Sequence, residues 1–506
     1  IFAFAESKLE KGVLWAGSDD GLLHVSRDDG QSWQNVTPPG LPEWSMVSVI
    51  EPSPHDGATA YVAATRYKMD DLKPYLFKTN DYGQSWTFIT GGIPNTEFTR
   101  VIREDPNRRG LLYAGTETGI YVSFDDGMNW QRLESNLPVT PVYDFVVKGS
   151  DLVVATHGRA FWILDDLSPL HQMQEQVVGK SAHLFKPRNT TRVRHYGRAY
   201  GDKTSDRVNY MMAGPVTVAL RARETPMGTQ EFEFLDAGKN PPNGVIIHYY
   251  LKEKPQGEVT LRILDSSGNE VNAFSSEGDD TPRVPVAAGA NRFVWDYRGA
   301  GPTKIKQEMP KNQRGQMAEA GLGPRANPGE YTVELKVGDE AMSESFTVVR
   351  DPRLDATDEA LAEQFQVKSG IRDKVSQLHE VVNQINAINK QLDGWTERIE
   401  AAGGNESLTS DAKSIKEKLE AVLDGLIQVK PDSPQPGGSR LKDKLTTLSA
   451  MIDESDDAPT QGAREVFADL GGRVDAEQEK VRQIVSSDLD AFNKKVSDSG
   501  IAAVVA

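Results

Sequence analysis

The sequence contains no cysteine, and this absence removes several kinds of chemistry. Disulfide bonds, thiolate metal sites and cysteine nucleophiles are excluded, while the redox compartment stays open because many exported proteins also lack cysteine. A run of about 18 apolar residues is also missing, so we expect no membrane-spanning helix. No signal peptide is visible and the sequence begins abruptly at Ile1, so we expect that part of the protein precedes it.

Positive charge is scarce relative to negative charge. The 57 lysine and arginine residues are outnumbered by 74 acidic residues, which gives a net charge of −17. Non-specific nucleic-acid binding needs a basic surface, so we do not expect nucleic-acid partners. The eight histidines are scattered, and the sequence has no zinc-protease, EF-hand, phosphate-loop or dinucleotide motif. We therefore predict no metal site and no cofactor.

A short motif with the pattern S/T-x-D-x-G-x-x-W occurs three times near the N-terminal end. Its aspartates lie 53 and 44 residues apart, about the length of one four-stranded propeller blade. The motif residues are Ser26, Asp28, Gly30 and Trp33, then Thr79, Asp81, Gly83 and Trp86, then Ser123, Asp125, Gly127 and Trp130.

Each residue type in this motif has a structural reason. Glycine can take the positive φ that a tight hairpin needs. The carboxylate can accept hydrogen bonds from the turn's own backbone, and the hydroxyl can accept or donate them. Tryptophan supplies a large apolar plate beneath the turn. We therefore predict that the three aspartates are structural rather than catalytic.

The motif resembles the Asp-box, also called the BNR repeat, of sialidases and sortilin-type propellers. The closest resemblance is to large bacterial sortilin-like or "glycosyl hydrolase" BNR-repeat proteins, whose propeller ends in a segment like ATHGRAFWILDDL, here residues 155–167. The resemblance implies a partial Asp-box β-propeller over 1–170. It also implies a protein, peptide or glycan ligand and a secreted, periplasmic or cell-surface location.

Three boxes are too few for a closed propeller. An open ring would leave an exposed sheet edge with unpaired backbone groups. We therefore expect either a preceding propeller portion or a partner chain that completes the ring.

The remaining residues predict three further segments, so the whole chain is expected to be mainly β with an α-helical C-terminal part. Residues 171–242 are interpreted as a connector. Alternating apolar and polar residues predict a β-sandwich over 243–354, with a long loop at 299–327. This segment resembles the Ig-like or FlgD-like modules of secreted bacterial proteins. Apolar residues at spacings of three and four predict an acidic helical domain, an antiparallel bundle or hairpin, over 355–506.

The connector contains a locally basic group, Arg192, Arg194, His195 and Arg198. This group predicts either an anion or carboxylate site, or a strand that is solvated or lies at an interface.

Candidate catalytic residues are few, and we predict none with a catalytic role. A glycoside hydrolase needs two carboxylates across a cleft, and the box aspartates are used by their turns. The remaining acidic candidates are Glu117, Asp165 and Asp166, and the binding candidates nearby are His157 and Arg159.

Three functional hypotheses follow. The first is a non-catalytic protein- or peptide-binding protein, and the alternative is an exported glycoside hydrolase that uses carboxylates in a propeller cleft. The third is a structural subunit of a cell-surface complex.

Overall fold

The computed structural model describes residues 1–193, 208–213, 216–224, 230–235, 237–278, 282–306, 322–427 and 440–501. The chain forms two compact units, Ile1–Lys180 and Ser181–Ala506. The first consists mostly of β-sheets and the second combines sheets with long helices, which confirms the predicted class. Within the described residues, no helix has the length and apolar character that crossing a membrane requires.

Four antiparallel sheets follow one another in the first unit, and within each the strands lie in chain order. We call them blades 1 to 4. Their strands are β1 (Ala3–Glu6), β2 (Leu14–Gly17), β3 (Leu23–Ser26) and β4 (Gln34–Asn35); β5 (Met46–Pro52), β6 (Ala60–Arg66), β7 (Asp71–Thr79) and β8 (Thr87–Phe88); β9 (Thr99–Glu104), β10 (Leu112–Thr116), β11 (Ile120–Ser123) and β12 (Gln131–Arg132); and β13 (Val142–Lys148), β14 (Asp151–Thr156) and β15 (Phe161–Leu164). Helices α1 (Ser168–Gln172) and α2 (Glu175–Gly179) follow.

Successive blades pack face to face through apolar side chains, so the strands of blades 2 and 3 are buried on both faces. Their first strands also converge. Arg103 on β9 donates to Glu51 on β5 at 2.7 Å and to Asp144 on β13 at 2.8 Å. Antiparallel blades whose first strands meet are the arrangement of a β-propeller.

The second unit begins with β-strands β16 to β26. Their bounds are β16 (Ala182–Leu184), β17 (Thr190–Arg192), β18 (Asn209–Ala213), β19 (Val216–Glu224), β20 (Gln230–Phe234), β21 (Val245–Leu251), β22 (Val259–Asp265), β23 (Glu270–Ser275), β24 (Gly289–Trp295), β25 (Gly329–Val337) and β26 (Glu340–Arg350). Sheets β16-β21-β24 and β17-β26-β25-β22-β23 share one core around Tyr249, Trp295 and Phe346. Strands β18 to β20 form a separate sheet.

The stretch interpreted as a connector supplies two strands to the sandwich. Strand β16 pairs with β21, and β17 pairs in parallel with β26. Each strand has only three residues, too few to show an alternating pattern in the sequence. Strand β17 also pairs with residues more than 150 positions later in the chain. Within the predicted loop, Gly299 donates to the Pro324 carbonyl at 2.9 Å, and residues 307–321 lie outside the described residues.

The helical part contains α3 (Asp358–Ala401), α4 (Glu406–Leu426), α5 (Leu441–Ile452), α6 (Gln461–Gln483) and α7 (Asp490–Asp498). A π-helical segment, Ile484–Leu489, joins α6 to α7. The side chains of Thr357, Asn405 and Thr460 cap three helices by accepting a backbone N–H of the first turn. Helix α3 packs against α4, α5 and α6, and its apolar stripe is buried there.

Buried charges join the sandwich to the helices. Asp453, just after α5, accepts from Arg298 Nη2 at 2.9 Å and from Lys368 Nζ of α3 at 2.8 Å. Asp456 accepts from Arg192 Nη2 at 3.1 Å. We call Arg192, Arg298, Lys368, Asp453 and Asp456 the junction cluster. Arg192 is thus buried and ion-paired rather than solvated, while Arg194, His195 and Arg198 lie outside the described residues.

The buried Lys368 should make the free energy of unfolding depend on pH. Burial lowers the pKa of Lys368 to about 8, although Asp453 opposes the shift. An unfolded lysine keeps its proton up to about pH 10.4, so between these values the unfolded state binds more protons and stability rises with pH. Raising the pH from 7 to 10 should stabilise the wild type relative to Lys368→Met by about 2 kcal/mol. Urea unfolding followed at 222 nm measures this difference.

Lys374 on the same helix is the matched control, because its pair with Asp475 is much more exposed than the pair of Lys368 with Asp453. A Lys374→Met variant should keep a constant stability difference from the wild type over this range. If the difference in unfolding free energy between the wild type and Lys368→Met also stayed constant from pH 7 to 10, the lowered pKa of Lys368 would be contradicted.

Candidate functional site

The three boxes form the same hydrogen-bonded turn. In the second, Asp81 Oδ1 accepts from the Thr79 hydroxyl and from the Ser85 amide, both at 2.8 Å, and the Gly83 amide donates to Thr79 Oγ1 at 2.9 Å. Asp28 and Asp125 make the corresponding bonds in the other two boxes. Hydrogen bonds from Ser32 and Ser26 lower the pKa of Asp28 to about 2, as expected for a carboxylate that remains ionised in its turn.

The box tryptophans connect each blade to the one before it. Trp86 Nε1 donates to the Val36 carbonyl of blade 1 at 2.8 Å, and Trp130 Nε1 donates to the Ile89 carbonyl of blade 2 at 2.7 Å. Trp33 occupies the same position in blade 1 and is 41% exposed. The boxes therefore hold the blades together at one end of the strands.

The other end of the strands carries the β2–β3, β6–β7, β10–β11 and β14–β15 turns and the connections between blades. We call this end the loop face. Glu117, His157 and Arg159 all lie there, in the β10–β11 and β14–β15 turns. The structure therefore brings three of the five candidate residues to one end of the unit.

A continuous set of contacts crosses the loop face. The Tyr67 and Phe98 rings stack with centroids 5.0 Å apart, and Arg100 Cζ lies 4.9 Å from the Phe98 ring. Arg100 also lies 4.3 Å from the Tyr143 ring, and Tyr143 contacts the His157 ring at 4.9 Å. We call Tyr67, Phe98, Arg100, Tyr143 and His157 the aromatic band; it spans blades 2, 3 and 4.

Glu117 is held by this band. Arg100 Nε and Nη2 approach Glu117 Oε2 at 2.8 and 2.6 Å. The neighbouring Glu97 accepts from Tyr121 at 3.1 Å and pairs with Arg132 at 3.5 Å. Glu117 and Glu97 thus each have a cationic partner.

Asp165 and Asp166 lie apart from the band, directly after β15. The Asp166 amide donates to Asp151 Oδ1 at 2.9 Å, and Asp166 Oδ1 accepts from the Ser168 amide at 3.1 Å. Asp166 is buried, so it connects the blade 4 hairpin to the start of α1. In the β14–β15 turn, the Arg159 carbonyl accepts from Trp162 Nε1 at 2.8 Å.

Sequence reasoning missed most of the band, although a second repeat in the sequence marks it. This repeat lies at the start of blades 2, 3 and 4, in segments 44–47 (WSMV), 98–101 (FTRV) and 139–142 (VTPV). The second residue of each is a buried Ser or Thr and the fourth a buried Val. Trp44, Phe98 and Val139 therefore occupy equivalent positions on the loop face.

The converging first strands also contain carboxylates that the sequence analysis did not single out. Burial raises the pKa of Glu51, while Arg103 and Lys8 oppose the shift. Arg103 bridges Glu51 and Asp144, so two carboxylates of different blades lie on either side of one guanidinium.

No family model matches the chain. A stretch of 119 residues, 23% of this chain, is 29% identical to vacuolar protein sorting/targeting protein 10 of Laccaria bicolor, and the match covers 7% of that protein. Among solved structures, YCF48 bound to D1 peptide is 18% identical, with 49% of this chain and 76% of that chain covered and a TM-score of 0.27. A GH74 xyloglucanase from Xanthomonas campestris is 12% identical, with 69% and 54% covered and a TM-score of 0.26.

Proposed function

We propose that the first unit binds a protein or peptide on its loop face and catalyses no reaction there. The observation that carries this proposal is the aromatic band, in which Arg100 is enclosed by three rings and neutralised by Glu117. Within the band Tyr143 is exposed, and the same face also exposes Trp44, Met69 and Leu72. Aromatic, methionine and arginine side chains are enriched at protein interfaces. The sequence match to a protein-sorting protein accords with a protein ligand.

Two carboxylates of the loop face, Glu117 and Glu97, argue against catalysis. A glycosidase needs one carboxylic acid with a raised pKa and a second carboxylate facing it across a gap. Glu117 and Glu97 are instead engaged by Arg100 and Arg132. Their geometry suits a fixed surface that recognises a ligand.

Binding to an array of random heptapeptides tests the proposal. Tyr143→Ser should weaken peptide binding by about tenfold, because Tyr143 is an exposed aromatic in contact with Arg100. Met128→Ser is the matched control, since Met128 is exposed on the box end of blade 3. Equal binding by both variants, or no peptide binding by the wild type, would contradict the proposal.

The alternative is a glycoside hydrolase, and one observation favours it: Glu51, with its raised pKa, shares Arg103 with Asp144. Against it, Arg103 is hydrogen-bonded to one oxygen of each carboxylate, which leaves neither acid free of a cationic partner. Hydrolysis of a neutral oligosaccharide panel by the wild type, and its loss in Glu51→Gln, would favour the enzyme over the binding protein.

Several finer assignments belong to the same proposal. The box residues are structural, the protein is exported or displayed at a cell surface, and segments 243–354 and 355–506 are a sandwich and a helical domain that extend the molecule. A further blade, from this polypeptide or a partner chain, covers the face of blade 1 that carries Trp33 and Phe4. The exposure of both side chains supports this last assignment.

A further inference from the structure

Trp44 stands out among the large side chains of the loop face. It is 64% exposed, whereas Phe98, its equivalent in the next blade, is 7% exposed. Phe98 is covered because Tyr67, from the β6–β7 connection, stacks on its ring and Arg100 contacts it from another side. The corresponding β2–β3 connection near Trp44 is the short segment 18–22 (SDDGL), which offers no aromatic side chain.

The backbone holds Trp44 in an unfavourable conformation. Its φ is 64°, a region that bulky residues rarely occupy. The Trp44 amide donates to the Asp20 carbonyl at 2.9 Å, and the adjacent Glu43 carbonyl accepts from Arg66 Nε at 3.1 Å. Neighbouring loops thus hold the backbone that carries the exposed ring, and backbone strain of this kind persists where the surrounding structure imposes it.

The charges around Trp44 are mainly negative. Asp20 and Glu43 are exposed and flank it, and the Ser18 hydroxyl donates to the Asp20 carboxylate, which lowers the pKa of Asp20. Arg66 donates to the Glu43 backbone carbonyl and pairs with the Asp71 carboxylate at 3.5 Å, so its charge is balanced by Asp71. An aromatic face beside exposed carboxylates attracts a cation.

From these observations we propose that Trp44, with Asp20 and Glu43, binds a basic side chain, preferably arginine, of a peptide ligand. The guanidinium stacks on the indole as Arg100 contacts Phe98 within the protein. This inference rests on the proposed peptide-binding function and names the ligand chemistry at one of its subsites.

The test compares paired heptapeptides on an array, each carrying either arginine or citrulline, which has nearly the same shape without the charge. The wild type should bind the arginine peptides about tenfold more tightly than their citrulline partners. Trp44→Gly should remove this preference. Because glycine tolerates a positive φ, this variant should keep the wild-type unfolding midpoint or exceed it, which separates lost binding from lost folding.

Asp20→Asn with Glu43→Gln should weaken arginine binding and leave citrulline binding unchanged. A matched control is Asp56→Asn, since Asp56 is an acidic residue of the β5–β6 connection at the box end. Arginine preference retained in Trp44→Gly, or none in the wild type, would overturn this inference while peptide binding stood. If the wild type bound neutral oligosaccharides but no peptide, both this inference and the proposed function would be overturned.

Discussion

Replacing Asp453 with asparagine should lower the free energy of unfolding of the second unit by about 3–5 kcal/mol. The carboxylate accepts from Arg298 and Lys368, and both cations are almost fully buried. Burial alone would raise the pKa of Asp453, but Arg298, Lys368 and Arg325 hold it far below its ordinary value. Asparagine keeps the shape of the side chain but leaves two buried cations without their shared counter-ion.

Ellipticity at 222 nm follows this unit, because the long helices α3 to α6 lie within it. Asp475→Asn is the matched control, since its pair with Lys374 is largely exposed and such pairs contribute about 0–1 kcal/mol. If both variants lost the same small amount of unfolding free energy, water would reach the junction cluster and screen its charges.

A double replacement separates the contribution of the buried ion pair from the cost of leaving a buried cation without its counter-ion. Changing Lys368 to methionine and Asp453 to leucine removes a cation and its counter-ion together. Replacing a buried ion pair with apolar groups of similar size is often neutral. The double variant should therefore be more stable than Asp453→Asn alone, since Arg298 keeps its contacts with Asp296 and with the Gly323 carbonyl.

The box turns could be predicted from the sequence because their chemistry is local. Within eight residues, Thr79 and Asp81 meet the amides of Gly83 and Ser85, so the residue types at fixed spacing determine the contacts. The apolar stripe of α3 was predictable for a similar reason, since helical periodicity places its residues on one face.

The aromatic band depends on contacts that no local pattern contains. Arg100 meets Tyr67 of the preceding blade and Tyr143 of the following one, which lie 33 and 43 residues away. Glu117 was singled out from the sequence, but its partner Arg100 could be recognised only after the blades were placed side by side. Strand β17 could not be predicted for the same reason, because its parallel partner β26 follows the other strands of the sandwich in the sequence.

Trp130→Ala should destabilise the first unit by about 3–5 kcal/mol, the range for removing a buried large aromatic side chain. Trp130 is 5% exposed, packs against the core of blade 2 and donates to the Ile89 carbonyl at 2.7 Å. The alanine variant leaves a cavity between two blades and a buried carbonyl without its donor. Urea unfolding followed by tryptophan emission reports this change, since six of the eight tryptophans lie in the first unit.

The chain supplies its own control for this effect. Trp33 occupies the same box position, but without the proposed further blade it is 41% exposed, so in the 506-residue chain alone Trp33→Ala should change stability by about 1 kcal/mol or less. Trp130→Phe should fall between the two, because it keeps most of the apolar plate and loses only the N–H donor, worth about 1 kcal/mol. If Trp33→Ala were as damaging as Trp130→Ala, the stabilising effect of the box would come from the turn itself and not from the contact with the preceding blade. The graded series expected here would instead show that each box tryptophan acts by joining its blade to the neighbour whose carbonyl it reaches.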